Sequence, residues 1–91
     1  MHDWTLLNVN FRWEDGELEI KFKNQDSKVV SLISKDTKNL ILPKKDDWGK
    51  SASVNEVKGP LLIGGNLKKI EIEMQSGDII EILSSEIIMP F

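Results

Sequence analysis

The sequence predicts an all-β protein: an antiparallel meander of seven or eight short strands that closes as a small barrel or a two-sheet sandwich. Three observations carry this. Apolar and polar residues alternate with a period of two through most of the chain. Gly, Asn, Asp and Ser clusters punctuate it at short intervals. No segment of ten or more residues shows a helical period. Ninety-one residues suffice for a single domain, 1–91, and without a helix to cover it a sheet must close on itself.

The first strand reads Leu7, Val9, Phe11 and Trp13 on one face, with Asn8, Asn10 and Arg12 between them. The second reads Leu18, Ile20 and Phe22 against Glu17, Glu19, Lys21 and Lys23. Asp15-Gly16 between them is a hairpin signal, because both central residues of a type I′ turn need positive φ. A two-residue loop there pairs Trp13 with Leu18, Phe11 with Ile20, Val9 with Phe22 and Arg12 with Glu19. This register matches polarity at every position and places Trp13 in the core.

Asn24 to Ser27 is a turn, and Val29 to Ile33 a strand rich in β-branched residues. Lys35 to Asn39 reads as a polar turn, followed by a short strand, Leu40 to Leu42, that Pro43 stops. Residues 43–50 are a loop. Ser51 to Val57 reads as an edge strand, Gly59-Pro60 as punctuation, Leu61 to Ile63 as another short strand, and Gly64-Gly65-Asn66 as a turn. Ile70, Ile72 and Met74 then alternate with Lys69, Glu71, Glu73 and Gln75. A three-residue loop, Gln75-Ser76-Gly77, pairs Ile72 with Ile80 and Ile70 with Ile82, with Gly77 in the left-handed position such loops require. Residues 87–91 form a last strand.

Composition narrows function. The net charge is −3, from 12 basic and 15 acidic residues, too mild for a general nucleic-acid binder. Residues 21–50 carry a local +4, but their lysines are scattered and no aromatic-basic string accompanies them. There is no Cys, hence no disulfide scaffold, thiol nucleophile or thiolate zinc site. The one histidine, His2, lies at a terminus expected to fray. No catalytic residue, metal site or cofactor is predicted. No apolar run approaches the roughly 20 residues that cross a bilayer, and the start has no signal-peptide pattern, so the cytoplasm is the expected compartment.

Two groups of side chains stand out as partner-binding candidates. Glu71 and Glu73 share a strand face, and the preferred register sets Glu81 across from Glu71, where like charges repel. They read either as a solvated outer face or as an acidic patch aimed at a basic partner. Trp48, flanked by Asp46, Asp47 and lysines, reads either as a cap on one end of the fold or as an exposed aromatic anchor.

His2-Asp3-Trp4, Trp48-Gly49 with Ser51 and Ser53-Val54-Asn55-Glu56, and Glu73 to Asp78 together resemble a group of short uncharacterised bacterial proteins. The resemblance implies a bacterial origin and assigns no activity. In general type the chain is also similar to small toxin-immunity proteins, which are short, acidic, cytoplasmic and non-catalytic. The expected function is therefore a non-enzymatic binding module, of immunity or antitoxin type, that blocks a basic protein such as a toxin. The alternatives are a small carboxylate-dependent enzyme or metal-binding protein, and a homodimer or larger homo-oligomer built by strand pairing.

Overall fold

The computed structural model describes residues 1–45 and 52–91. Six strands form one sheet: β1 (Thr5–Arg12), β2 (Glu17–Lys23), β3 (Val29–Ile41), β4 (Val54–Gly64), β5 (Leu67–Met74) and β6 (Ile79–Ile88). Their order is β1-β2-β3-β6-β5-β4, and every neighbouring pair is antiparallel. There is no helix among the described residues.

The all-β class holds, but closure and strand count do not. The sheet is open, neither a closed barrel nor a two-sheet sandwich. Six strands replace seven or eight because stretches expected to be separate run on. β3 passes straight through Lys35–Asn39, bending rather than turning: Asp36 takes φ 54° and a bulge follows between Thr37 and Asn39. The polar residues there leave β2 and pair with β6 instead, Lys35 with Glu86 and Thr37 with Ser84, so the backbone bonds that would be lost in a turn are kept. β4 likewise continues through Gly59-Pro60, absorbing the proline at a bulge on the sheet edge. β6 takes in Ile87 and Ile88.

Four of the six strands, β2, β3, β5 and β6, carry most of the dry face. Leu18, Ile20 and Phe22 of β2, Leu32 of β3, Ile70 and Ile72 of β5, and Ile80 and Ile82 of β6 are fully buried. With Trp4, Val54 and Met74 they form one cluster. One sheet without a second layer can bury its inner face only by bending over it. The two edge strands meet at one end to do so. Asp3 N–H donates to the Val54 carbonyl (2.9 Å), Val54 N–H to Trp4 (2.8 Å) and Leu6 N–H to Ala52 (2.7 Å). Trp4 plugs this seam, its ring against Phe22 and its indole N–H on Gln25 Oε1 at 2.7 Å.

The β5–β6 hairpin has the expected register: Ile72 faces Ile80 and Ile70 faces Ile82. Gly77 closes the loop at φ 97°. The β1–β2 hairpin does not. Phe11 faces Leu18, Val9 faces Ile20 and Arg12 faces Glu17, two residues from the expected register. A bulge then brings Leu6, not Leu7, to Phe22. The loop is four residues, Trp13 to Gly16, because Arg12 is held by both Asp15 (2.7 Å) and Glu17 (3.0 Å) while Asp15 accepts from Glu17 N–H. Trp13 is thereby placed in solvent, 88% exposed, instead of in the core.

Ile20→Ala should cost about 2–5 kcal/mol, whereas Trp13→Ala should stay within about 0.5 kcal/mol of the parent, both measured by urea unfolding. Gly59, at φ 101°, has no room for a side chain, since an added Cβ would lie 2.6 Å from the Lys69 carbonyl oxygen. Gly59→Ala should lose about 1–3 kcal/mol in the same assay.

Candidate functional site

The outer face of β4, β5 and β6 is built by register. Glu56 stands beside Glu73, Lys58 beside Glu71, and Glu71 beside Glu81, with Ile41 of β3 next in that row. Alternation along β5 sends Ile70, Ile72 and Met74 inward, which forces Lys69, Glu71 and Glu73 out. The structure thus brings Glu71, Glu73 and Glu81 together, as their spacing predicts. It adds what the spacing did not show. Lys69 Nζ lies 3.5 Å from both Glu71 Oε1 and Glu81 Oε1, so a lysine sits between the carboxylates that would otherwise repel. The Lys69 ammonium is held above its usual range, by Glu81 first and Glu71 second. All three side chains are about one-third exposed, so solvent screens the network. Ile79 and Ile41 are exposed among the charges. The depression between Glu56, Lys58, Glu71 and Glu73 encloses only about 20 Å³, room for a single water. Asp46, Asp47 and Trp48 lie outside the described residues.

A second constellation lies at the seam. His2 is pinned rather than frayed: its Nδ1–H donates to the Asn55 carbonyl at 2.8 Å and its Nε2 lies 3.5 Å from Asp3 Oδ1. Gln75 Nε2 donates to Asp3 Oδ1 at 2.6 Å, and Gln75 N–H to the Ser53 carbonyl at 2.8 Å. Asn55 Nδ2 donates to Glu73 Oε1 at 2.7 Å, joining the seam to the acidic face. Three stretches that stood out in the sequence, at residues 2–4, 53–56 and 73–78, therefore meet in space. Their polar groups stitch the edge strands together. Among the described residues no group of three or more His, Asp or Glu side chains is arranged to hold a metal.

The third feature was missed in the sequence. Where β3 bends away from β2, a groove of about 500 Å³ opens, lined by Phe11, Trp13, Thr37, Lys38, Asn39 and Leu40. The Phe11 and Trp13 rings stand at 80° with centroids 6.1 Å apart. The hairpin loop is tied to the bend by Thr37 N–H donating to the Gly16 carbonyl at 2.9 Å. A Cβ on Gly16 would lie 3.2 Å from Thr37 N, and φ there is 67°, so this approach suits glycine. Lys38 is bound to Asp36 at 3.0 Å. The only signal in the sequence was a tryptophan next to a turn.

Comparison with known proteins gives no match: no family model fits the chain, and no curated protein or solved structure matches it.

Two aspartates, one in the β1–β2 loop and one at the bend of β3, make stability depend on pH. Asp15 is held below the ordinary aspartate range, first by the Glu17 N–H and then by Arg12. Asp36 is held down by Lys38 first and Ser85 second. A lowered carboxyl in the folded state stabilises it above the unfolded value, about pH 4, and that contribution is lost as pH falls through the folded value. The double variant Asp15→Asn, Asp36→Asn should therefore be less stable than the parent at pH 7. The gap should narrow below about pH 4 in urea titrations at stepped pH.

Proposed function

We propose that this chain is a non-enzymatic binding module of immunity or antitoxin type, acting in the cytoplasm, that blocks a basic protein partner through the outer face of β4, β5 and β6. The observation that carries the reading is the convergence of Glu56, Glu71, Glu73 and Glu81 on three adjacent strands, with exposed Ile79 and Ile41 among them. Two lysines, Lys58 and Lys69, share that face, which leaves it with a net charge of −2. Such a surface attracts a basic partner at long range and offers it apolar contact on arrival. The composition supports a non-catalytic role, since cysteine and tyrosine are absent and the one histidine is engaged at the seam. Similarity in type to small immunity proteins points the same way.

A second reading is favoured by the far end of β4. Leu61, Leu62 and Ile63 are 62%, 67% and 51% exposed on an edge strand, which suits strand-mediated self-association.

The test is to capture partners on the immobilised protein from its source cells, then to measure association kinetics of the captured protein at two ionic strengths. Association should slow as salt rises, and Glu71→Lys with Glu73→Lys should slow it roughly tenfold or more at low salt without loss of fold. A partner indifferent to both would end the acidic-face reading. A turnover activity that depends on these carboxylates would end the non-enzymatic one.

A further inference from the structure

We infer that the tip of the β4–β5 hairpin docks on a bilayer surface that bears anionic headgroups. Leu61, Leu62 and Ile63 are 62%, 67% and 51% exposed. Consecutive residues of a strand point to opposite faces, so this ribbon is apolar on both sides. It also stands clear of the body. β6 accompanies β5 only as far as Lys68, and β4 is an edge strand, so no third strand flanks the tip among the described residues. Residues 61–66 are all exposed, and a Cβ on Gly64 or Gly65 would meet nothing within 4 Å. Single exposed apolar side chains are ordinary, but three in a row on a projecting tip form a patch of the kind that marks a contact surface. The charge around that tip is of one sign. Residues 58–70 hold Lys58, Lys68 and Lys69 and no Asp or Glu, although the whole chain carries −3. Leu61 stands beside Lys69 and Leu62 beside Lys68. Lys69 is committed to Glu71 and Glu81, whereas Lys68, on the other side of β5, makes no ion pair among the described residues.

Shape and charge together choose the occupant. A flat protein surface covers one face of a ribbon and leaves the other wet. The outer layer of a bilayer closes around a tip from every side. The leucines enter the acyl boundary, and the lysine stems lie along it with their ammonium groups at the headgroups. Those ammonium groups complement anionic lipid, which a lysine-free apolar tip would not distinguish from neutral lipid. A second copy pairing along β4 is the competing occupant of the same residues. It would find a broken ladder, since Pro60 has no N–H and bulges fall between Lys58 and Leu61 and between Leu62 and Gly64. The contact is peripheral. One hairpin tip enters the interface, and no helix among the described residues is long and apolar enough to cross a membrane.

The site goes beyond the basic-partner reading and shares no apolar residue with the acidic outer face. The test uses the full chain with vesicles of phosphatidylcholine and phosphatidylglycerol, and vesicles of phosphatidylcholine alone as the control. The chain has no cysteine, so Leu62→Cys carries an environment-sensitive dye at one place only. Val29→Cys, also 62% exposed in the parent but far from the tip in the fold order, carries it in the control protein. The dye at position 62 should brighten and shift to the blue on the anionic vesicles, and the dye at position 29 should not. Unlabelled protein should float with the anionic vesicles and much less with the neutral ones. Leu62→Asn should weaken flotation about tenfold or more, and Lys68→Gln about fivefold, with unchanged urea midpoints showing that both variants fold. Four outcomes would overturn the site. They are no flotation, equal brightening at positions 62 and 29, parent-like flotation by Leu62→Asn, or brightening at position 62 that follows protein concentration and ignores vesicles. The last of these would give the tip to a second copy. None of them touches the acidic outer face, whose own test is the salt and charge-reversal kinetics of the captured partner.

Discussion

A single sheet with one dry face and nothing to lay over it is the constraint on which this structure depends. Eight apolar side chains from β2, β3, β5 and β6 are wholly shut off from solvent, at 0% exposure, and no second layer covers them among the described residues. Burial of a large apolar side chain contributes about 1.5–3 kcal/mol, so leaving such a face wet would forfeit the whole stability margin of a domain this size. The sheet therefore bends over its own inner face. Its irregular features all lie where that bending needs them. β3 bends at Asp36, bulges interrupt β1 and β4, and Trp4 with Asp3 and Leu6 joins the two edges at one end. Buried polar groups follow the same logic. Ser34 and Ser84 are fully buried, and each is satisfied, by Thr37 and by Glu86.

The sequence made faces legible and registers only partly so. Period-two alternation says which residues share a side, and that held for β2, β5 and β6. Register is a different matter, because a slip of two residues leaves every face unchanged. At β5–β6 the loop itself decided between options, since Gly77 must take the left-handed position and only one loop length puts it there. At β1–β2 the polarity match was equally good for two registers. The choice fell to an ion-pair cluster, Arg12 with Asp15 and Glu17, that lengthens the loop. No alternation rule weighs that cluster, and so Trp13 was assigned inward. Strand ends were illegible for a related reason. A polar run such as Lys35–Asn39 resembles a turn when neighbours are unknown, yet it stays extended once β6 supplies its hydrogen bonds.

The surface divides the same way. Glu71 and Glu81 could be placed opposite each other from the sequence because each sits four residues from a loop whose length was fixed. Lys69 between them followed from no pattern, since side-chain reach rather than spacing sets that contact. The seam was beyond any local reading. Asp3 and Gln75 are 72 positions apart, and only the closing of the sheet brings them within 2.6 Å. The residues at 2–4, 53–56 and 73–78 meet there and hold the two edges together.

The segment of β3 beyond Asp36 carries the consequences of the bend onto both faces of the sheet. Having left β2, it runs beside β6 alone, with Leu40 opposite Ile82 and Ile41 opposite Glu81. Successive residues point to opposite sides, so Leu40 and Thr37 line the groove under Trp13 while Ile41 joins the acidic outer face. One backbone departure thus creates the groove and completes the face. The two surfaces are coupled through a strand five residues long rather than through a packed core. A change that straightened β3 at Asp36 would close the groove and shift Ile41 together, whereas a change in either surface's side chains would leave the other where it is.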